Sequence, residues 1–233
     1  MMKISPFIFG LLFLTMCSTV FSHPVEGAWE FKSGDKHIVL VCKDGYFTHT
    51  QFTSNEFLLS WGGAAKISNT RLKVLIEFNS GDTQNVGKET VYNFLIKNDQ
   101  LQITENGLTT KYKRIDDGSA PMAGVWKIRG REQDGKMVSI HQTGARKTLK
   151  ILTGSRFQWF AINPETKQFS GTGGSTYSFV NGKYTENILF FSRDNNRVGA
   201  QLIFDGKIIE GEWHHSGLSS KGDKIYEIWS REN

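Results

Sequence analysis

Three observations predict an all-β protein in which one small antiparallel unit is written twice. Gly27-Ala28-Trp29-Glu30-Phe31 recurs as Gly124-Val125-Trp126-Lys127-Ile128. Inside each copy the apolar residues alternate with a period of two rather than 3.6. Turn residues such as Asn-Gly and Asp-Gly separate short runs, and no amphipathic helix fits between them. A fixed internal repeat of this kind outweighs any single motif as a guide to architecture.

Residues 1–22 read as a signal peptide. Lys3 forms a minimal basic start, Phe7 to Leu14 an apolar run, and Val20-Phe21-Ser22 a small-residue cleavage site before His23. The apolar run falls short of the ~20 residues that a membrane-spanning helix requires, and no later segment approaches that length. The expectation is therefore export, to a periplasm or beyond, with no transmembrane segment. Leu14-Thr15-Met16-Cys17 half-fits a lipobox, and Met16 stands where a small residue is usual, so lipid anchoring at Cys17 is the less favoured alternative. Without the signal peptide Cys42 is the sole cysteine and reads as a small buried hydrophobe.

The 233-residue chain carries 28 Lys and Arg against 23 Asp and Glu, a net charge of +5. The basic residues are scattered rather than clustered among exposed aromatics, which argues against a nucleic-acid partner.

The first copy is expected over residues 23–117 and the second over 121–233. The polar stretch Asp116-Asp117-Gly118-Ser119-Ala120-Pro121 serves as the joint between them. Landmarks follow in the same order in both. Tyr46-Phe47 corresponds to Phe157-Gln158-Trp159-Phe160, Gly62-Gly63 to Gly173-Gly174, and Asn69-Thr70-Arg71 to Asn181-Gly182-Lys183. In the second copy, strands are expected at 147–153, 157–162, 176–180, 184–191, 201–204, 208–215 and 225–231. Such a count fits a small sandwich or a closed barrel.

Each copy also ends alike, on Tyr112-Lys113-Arg114 and Trp229-Ser230-Arg231. The Gly-x-Trp start with an aromatic-x-Arg end resembles the lipocalin (calycin) superfamily. There, a Trp on the first strand packs at the closed end of a barrel and an Arg of the last strand covers it. The resemblance implies two consecutive lipocalin-like barrels with the closure pairs Trp29–Arg114 and Trp126–Arg231. A planar guanidinium stacked on an indole, its donors reaching carbonyls, makes physical sense of such pairs. The second copy also resembles a bacterial secreted lipocalin-like family of unknown function. The matching stretches are Phe157-Gln158-Trp159, Gly174-Ser175-Thr176-Tyr177, Tyr184-Thr185-Glu186, Trp213-His214-His215-Ser216-Gly217 and Glu227-Ile228-Trp229-Ser230-Arg231. In the first copy only the two ends and the Gly-Gly pair carry the likeness.

Strand parity divides each strand into inward and outward sets. It sends Trp213 and His215 inward, with Glu210, Glu212 and His214 outward. Tyr184 and Glu186 also point in, as do Glu227 and Trp229, and Phe157, Trp159 and Tyr177. The result is an aromatic cup with two carboxylates and an imidazole, the make-up of a small-molecule site. The competing reading is that Glu186 pairs with an Arg or Tyr inside the barrel, as interior networks do. Matching the turns sets Leu72 opposite Tyr184, Val74 opposite Glu186 and Thr110 opposite Glu227. The first copy thus lacks the polar set, and the ligand cavity is expected in the second copy alone.

Function follows as the binding of a small, partly apolar molecule, with no cofactor, no metal and no catalytic residue assigned. Adjacent His214 and His215 face opposite ways and cannot readily share one ion. Two alternatives stay open. In one, Glu186, Glu227 and His215 act as acid–base groups of a barrel enzyme. In the other, exposed aromatics such as Phe160 and Tyr226 form the contact between barrels or dock another protein.

Overall fold

The computed structural model describes residues 23–219 and 221–232. The expected signal peptide, with Cys17, lies outside the described residues. Among those described, no helix is long and apolar enough to cross a membrane.

The chain forms two consecutive closed antiparallel barrels. Strands β1 (Gly27–Ser33), β2 (Lys36–Lys43), β3 (Tyr46–Phe52), β4 (Phe57–Ser68), β5 (Arg71–Asn79), β6 (Glu89–Lys97), β7 (Gln100–Glu105) and β8 (Leu108–Asp116) make the first. Each pairs with its sequence neighbour, and β8 returns to β1 with Arg114 opposite Trp29. The second barrel is built from β9 (Gly124–Gln133), β11 (Lys147–Leu152), β12 (Arg156–Asn163), β13 (Gln168–Val180), β14 (Lys183–Phe191), β15 (Gln201–Ile209), β16 (Glu212–Leu218) and β17 (Lys224–Arg231). It closes with Arg231 opposite Trp126. A short extra strand, β10 (Lys136–Ser139), folds back on β9 and has no counterpart in the first barrel.

The repeated Gly-x-Trp start has a steric cause. Gly27 and Gly124 adopt φ of +113° and +144°, where L side chains are strained. A Cβ on Gly27 would lie 2.2 Å from the Asp116 carbonyl oxygen, and one on Gly124 would lie 1.6 Å from the Arg231 guanidinium. With these approaches allowed, the Arg114 guanidinium carbon sits 3.9 Å from the centre of the Trp29 ring, and that of Arg231 4.1 Å from Trp126. Trp29 Nε1 donates to the Val25 carbonyl and Trp126 Nε1 to that of Met122, both at 2.9 Å. Arg114 donates to the carbonyls of Pro24 and Glu26, Arg231 to those of Pro121 and Ala123.

One predicted turn is overturned. Asp205-Gly206 does not break the chain, because β15 runs through it with Gly206 paired to His215, and the turn falls at Glu210-Gly211 instead. Gly206 serves packing: a Cβ there would meet the Phe179 ring at 2.7 Å. The Gly173-Gly174 pair likewise lies within a single strand, β13.

Three apolar clusters result. One fills part of the first barrel and one the second, and the third lies between them. The third is built from equivalent faces of the two copies, with Val39 and Val41 of β2 near Leu149 and Ile151 of β11. Phe160 stacks on Phe78 at 4.9 Å and on Tyr46 at 5.3 Å, so it forms the contact between barrels, while Tyr226 pairs with His214 at 2.6 Å. The buried Gln158 amide accepts from Thr50 Oγ1 and donates to Ser60 Oγ across this interface, and it also donates to Thr172 of its own barrel. The joint is tied down as well, since the Asp116 carboxylate accepts from Thr153 Oγ1, Ser155 Oγ and the amides of Gly154 and Ser155.

Candidate functional site

The strand registers align the two interiors position by position. Leu40 faces His49 as Lys150 faces Trp159, and Leu72 faces Tyr92 as Tyr184 faces Phe204. Ala65 and Val74 match Tyr177 and Glu186. Leu101 and Tyr112 match Trp213 and Trp229, and Ile103 and Thr110 match His215 and Glu227.

In the second barrel, most of the expected cup comes together around a residue that parity does not place there. Tyr184 packs on Trp213, Tyr177, His215 and Phe157, with ring centres 4.9–6.1 Å apart. Lys150, 5% exposed, extends into the middle of these rings. Its Nζ lies 5.0–5.5 Å from the ring centres of Phe157, Tyr184, Trp213 and Trp229, and 3.0 Å from Glu186 Oε1. A buried ammonium needs such a carboxylate and gains further from the ring faces. Trp159 packs partly buried against the edge of this cluster, in edge contact with Phe191 and near the Arg193 guanidinium.

Glu227 is compensated separately. Its carboxylate accepts from Arg131 Nε and Nη2 at 3.1 and 2.5 Å and from Trp229 Nε1 at 3.1 Å. Burial alone would push its pKa up, but His215 at 3.6 Å, Lys150 and Arg131 outweigh that and hold it at about 2. Desolvation and the nearby Lys150 lower the pKa of His215, which favours the neutral imidazole. The sequence reading turns these carboxylates toward a small-molecule site. The chain's own Lys150 and Arg131 meet them instead, and Ile140, beyond β10, packs against the same cluster.

The first barrel reverses the expectation that it has no cavity of note. Smaller side chains at matching positions leave a cavity of about 650 Å³, within the size range of small-molecule sites. Its wall is formed by Leu40, Phe47, Ile76 and Ile103 with the polar or aromatic His49, Gln51, Trp61, Tyr92, Thr110 and Tyr112. It opens between the loop after β5, at Asn85 and Lys88, and the β7–β8 turn, at Glu105 and Asn106, away from the Trp29–Arg114 closure. The charged members of the lining, Lys88, Glu89 and Glu105, are exposed. Within the cavity, His49 stacks on Trp61 at 5.4 Å with an interplanar angle of 19°. Burial lowers the His49 pKa to about 4 and pushes Tyr112 up to about 12, and it also raises Tyr92, so all three are neutral near pH 7. None of His49, Trp61, Tyr92 and Tyr112 is singled out by strand parity. Their signal is relative volume, since the first copy places Leu40, Ile103 and Thr110 where the second has Lys150, His215 and Glu227.

No protein-family model and no curated protein matches the chain. Among solved structures, the β subunit of DNA polymerase III from Thermotoga maritima is similar over 88% of this chain and 76% of that chain. The identity is 8% and the TM-score 0.17, which carries no argument about fold or function. Fold and cavity together define a two-barrel β protein in which one interior is filled by its own side chains and the other holds a small-molecule-sized space.

Proposed function

We propose that the chain is an exported, lipocalin-like binding protein that holds a small, partly apolar molecule in its first barrel. The observation that carries this reading is the cavity of about 650 Å³ walled by Leu40, Ile103 and Thr110, whose counterparts in the second barrel are Lys150, His215 and Glu227. Apolar walls with a few polar groups are the usual composition of such sites. The second barrel then serves as a packed partner that buries one face of the first. Glu186 and Glu227 are engaged with Lys150 and Arg131, which favours binding over acid–base turnover.

Native mass spectrometry of the purified protein tests the reading. A small-molecule adduct is expected on the wild-type chain and absent from Ile103→Trp, which fills the cavity. An adduct that persists on Ile103→Trp would place the ligand elsewhere and overturn the assignment.

A further inference from the structure

The reading of the first barrel as a ligand site leaves the second as its packed partner, yet the interior of that partner is built around a cation. We propose that the second barrel encloses a binding site for a primary ammonium group, a cage of four aromatic rings and one carboxylate. The chain fills this site with its own Lys150. The second barrel is then a self-occupied amine site, whatever the first barrel holds.

Rings and a carboxylate hold the ion together. Lys150 Nζ lies 5.5 Å from the ring centre of Phe157, 5.1 Å from Tyr184, 5.0 Å from Trp213 and 5.2 Å from Trp229. All four fall within the roughly 6 Å over which a ring face attracts a cation, and desolvation strengthens the attraction. Glu186 Oε1 accepts from Nζ at 3.0 Å and is, among the described residues, the one hydrogen-bond partner of the ammonium. Both residues are buried, so neither charge is neutralised by bulk water. The hydrogen bond selects a nitrogen that bears N–H groups, because a quaternary ammonium has no proton to give the carboxylate.

The first barrel shows that the fold does not require this arrangement. Leu40 stands at the position of Lys150 and Val74 at that of Glu186. Leu72 and Leu101 stand where the second barrel has Tyr184 and Trp213. A barrel of the same strand order therefore closes on aliphatic side chains at all four positions. A buried ion pair often contributes no more stability than apolar residues of similar volume. Ammonium, carboxylate and enlarged rings thus enter one copy as a set, and together they have the make-up of a cation site. A tethered ammonium binds within its own chain, so it outcompetes free amines in the wild-type protein.

Chemical rescue of Lys150→Ala tests the proposal. The substitution removes the atoms from Cγ to Nζ, which n-propylammonium replaces atom for atom, and 1-propanol is the uncharged probe of equal size. Each chain is unfolded in urea and refolded with about 100 mM propylammonium chloride, 1-propanol or sodium chloride, which gives the probe access to the interior. For Lys150→Ala, propylammonium should raise the folding equilibrium constant about tenfold over sodium chloride, as a site with a dissociation constant of about 10 mM would. 1-Propanol should change it by less than about twofold. The wild-type chain, whose site is filled, should not respond. Nor should Lys150→Leu with Glu186→Val, which lacks the carboxylate. Equal rescue by 1-propanol overturns the proposal, since any apolar void would then suffice. A folded Lys150→Ala that ignores propylammonium overturns it too, as does an equal response from the wild-type chain or the double variant. If Lys150→Ala folds under none of these conditions, the proton NMR spectrum of the wild-type chain decides. Ring currents should displace the Lys150 ε-methylene protons upfield of those of the exposed lysines, in a resonance assigned by its loss from the double variant. An ordinary lysine position for that resonance overturns the cage.

Discussion

Where β2 of the first barrel turns Leu40 inward, β11 of the second turns in Lys150, and the same exchange recurs around the interior. Leu72, Val74, Leu101 and Ile103 stand in one barrel where Tyr184, Glu186, Trp213 and His215 stand in the other. Both barrels keep the Trp–Arg closure, the glycine that admits it, and a Gly-Gly pair on the fourth strand of the closed sheet. The pair of interiors teaches that polar residues inside a barrel do not by themselves mark a binding site. A carboxylate such as Glu186 can be there for a lysine of the same chain, and the roomier, more aliphatic copy is then the one with space for a ligand.

The largest effect should come from breaking the filled interior. Lys150→Ala leaves Glu186 buried without its ammonium, and loss of one member of a buried pair costs about 3–5 kcal/mol. Urea unfolding followed by tryptophan fluorescence measures it. Replacing both partners with their first-barrel counterparts, Lys150→Leu with Glu186→Val, should restore most of that loss. If the double variant is as unstable as the single one, the two interiors are not interchangeable in the way their registers imply.

Acid should weaken both barrels next. His49 and His215 have folded pKa values below their unfolded value of about 6.5, so the unfolded chain binds more protons and stability falls as pH drops below that point. The His49 share levels off below about 4. Glu227, held at about 2, contributes stability above its unfolded value of about 4.3, and that share is lost as pH falls from there towards 2. Urea midpoints between pH 8 and pH 3 should therefore decline in two stages. Glu227→Gln should remove the lower stage alone, and a lower stage that survives this substitution would contradict the assignment.

The smallest effect is expected in the cavity. Ile103→Phe adds bulk beside open space, so the unfolding free energy should change by less than about 1 kcal/mol, below the roughly 1–3 kcal/mol of overpacking a filled core. A larger destabilisation would mean that the first barrel is less roomy than its walls suggest.

From the sequence alone came the duplication, the alternating strands, the two Trp–Arg closures and the matching of Leu72, Val74 and Thr110 with Tyr184, Glu186 and Glu227. The two closures were implied by the resemblance that the Gly-x-Trp starts and aromatic-x-Arg ends carry, whereas the duplication, the strands and the matching follow from local rules, a period of two and turn chemistry. The inward placement of Tyr184, Glu186, Trp213, His215 and Glu227 was legible for the same reason. Which barrel holds a cavity was not. On β11 the alternating Leu149 and Ile151 are both buried against the other barrel, and Lys150 between them points in. Parity sorts side chains onto two faces but does not say which face meets solvent, and here neither does. Only the packing of one barrel on the other decided that, and with it placed an ammonium inside the second barrel and left the space in the first.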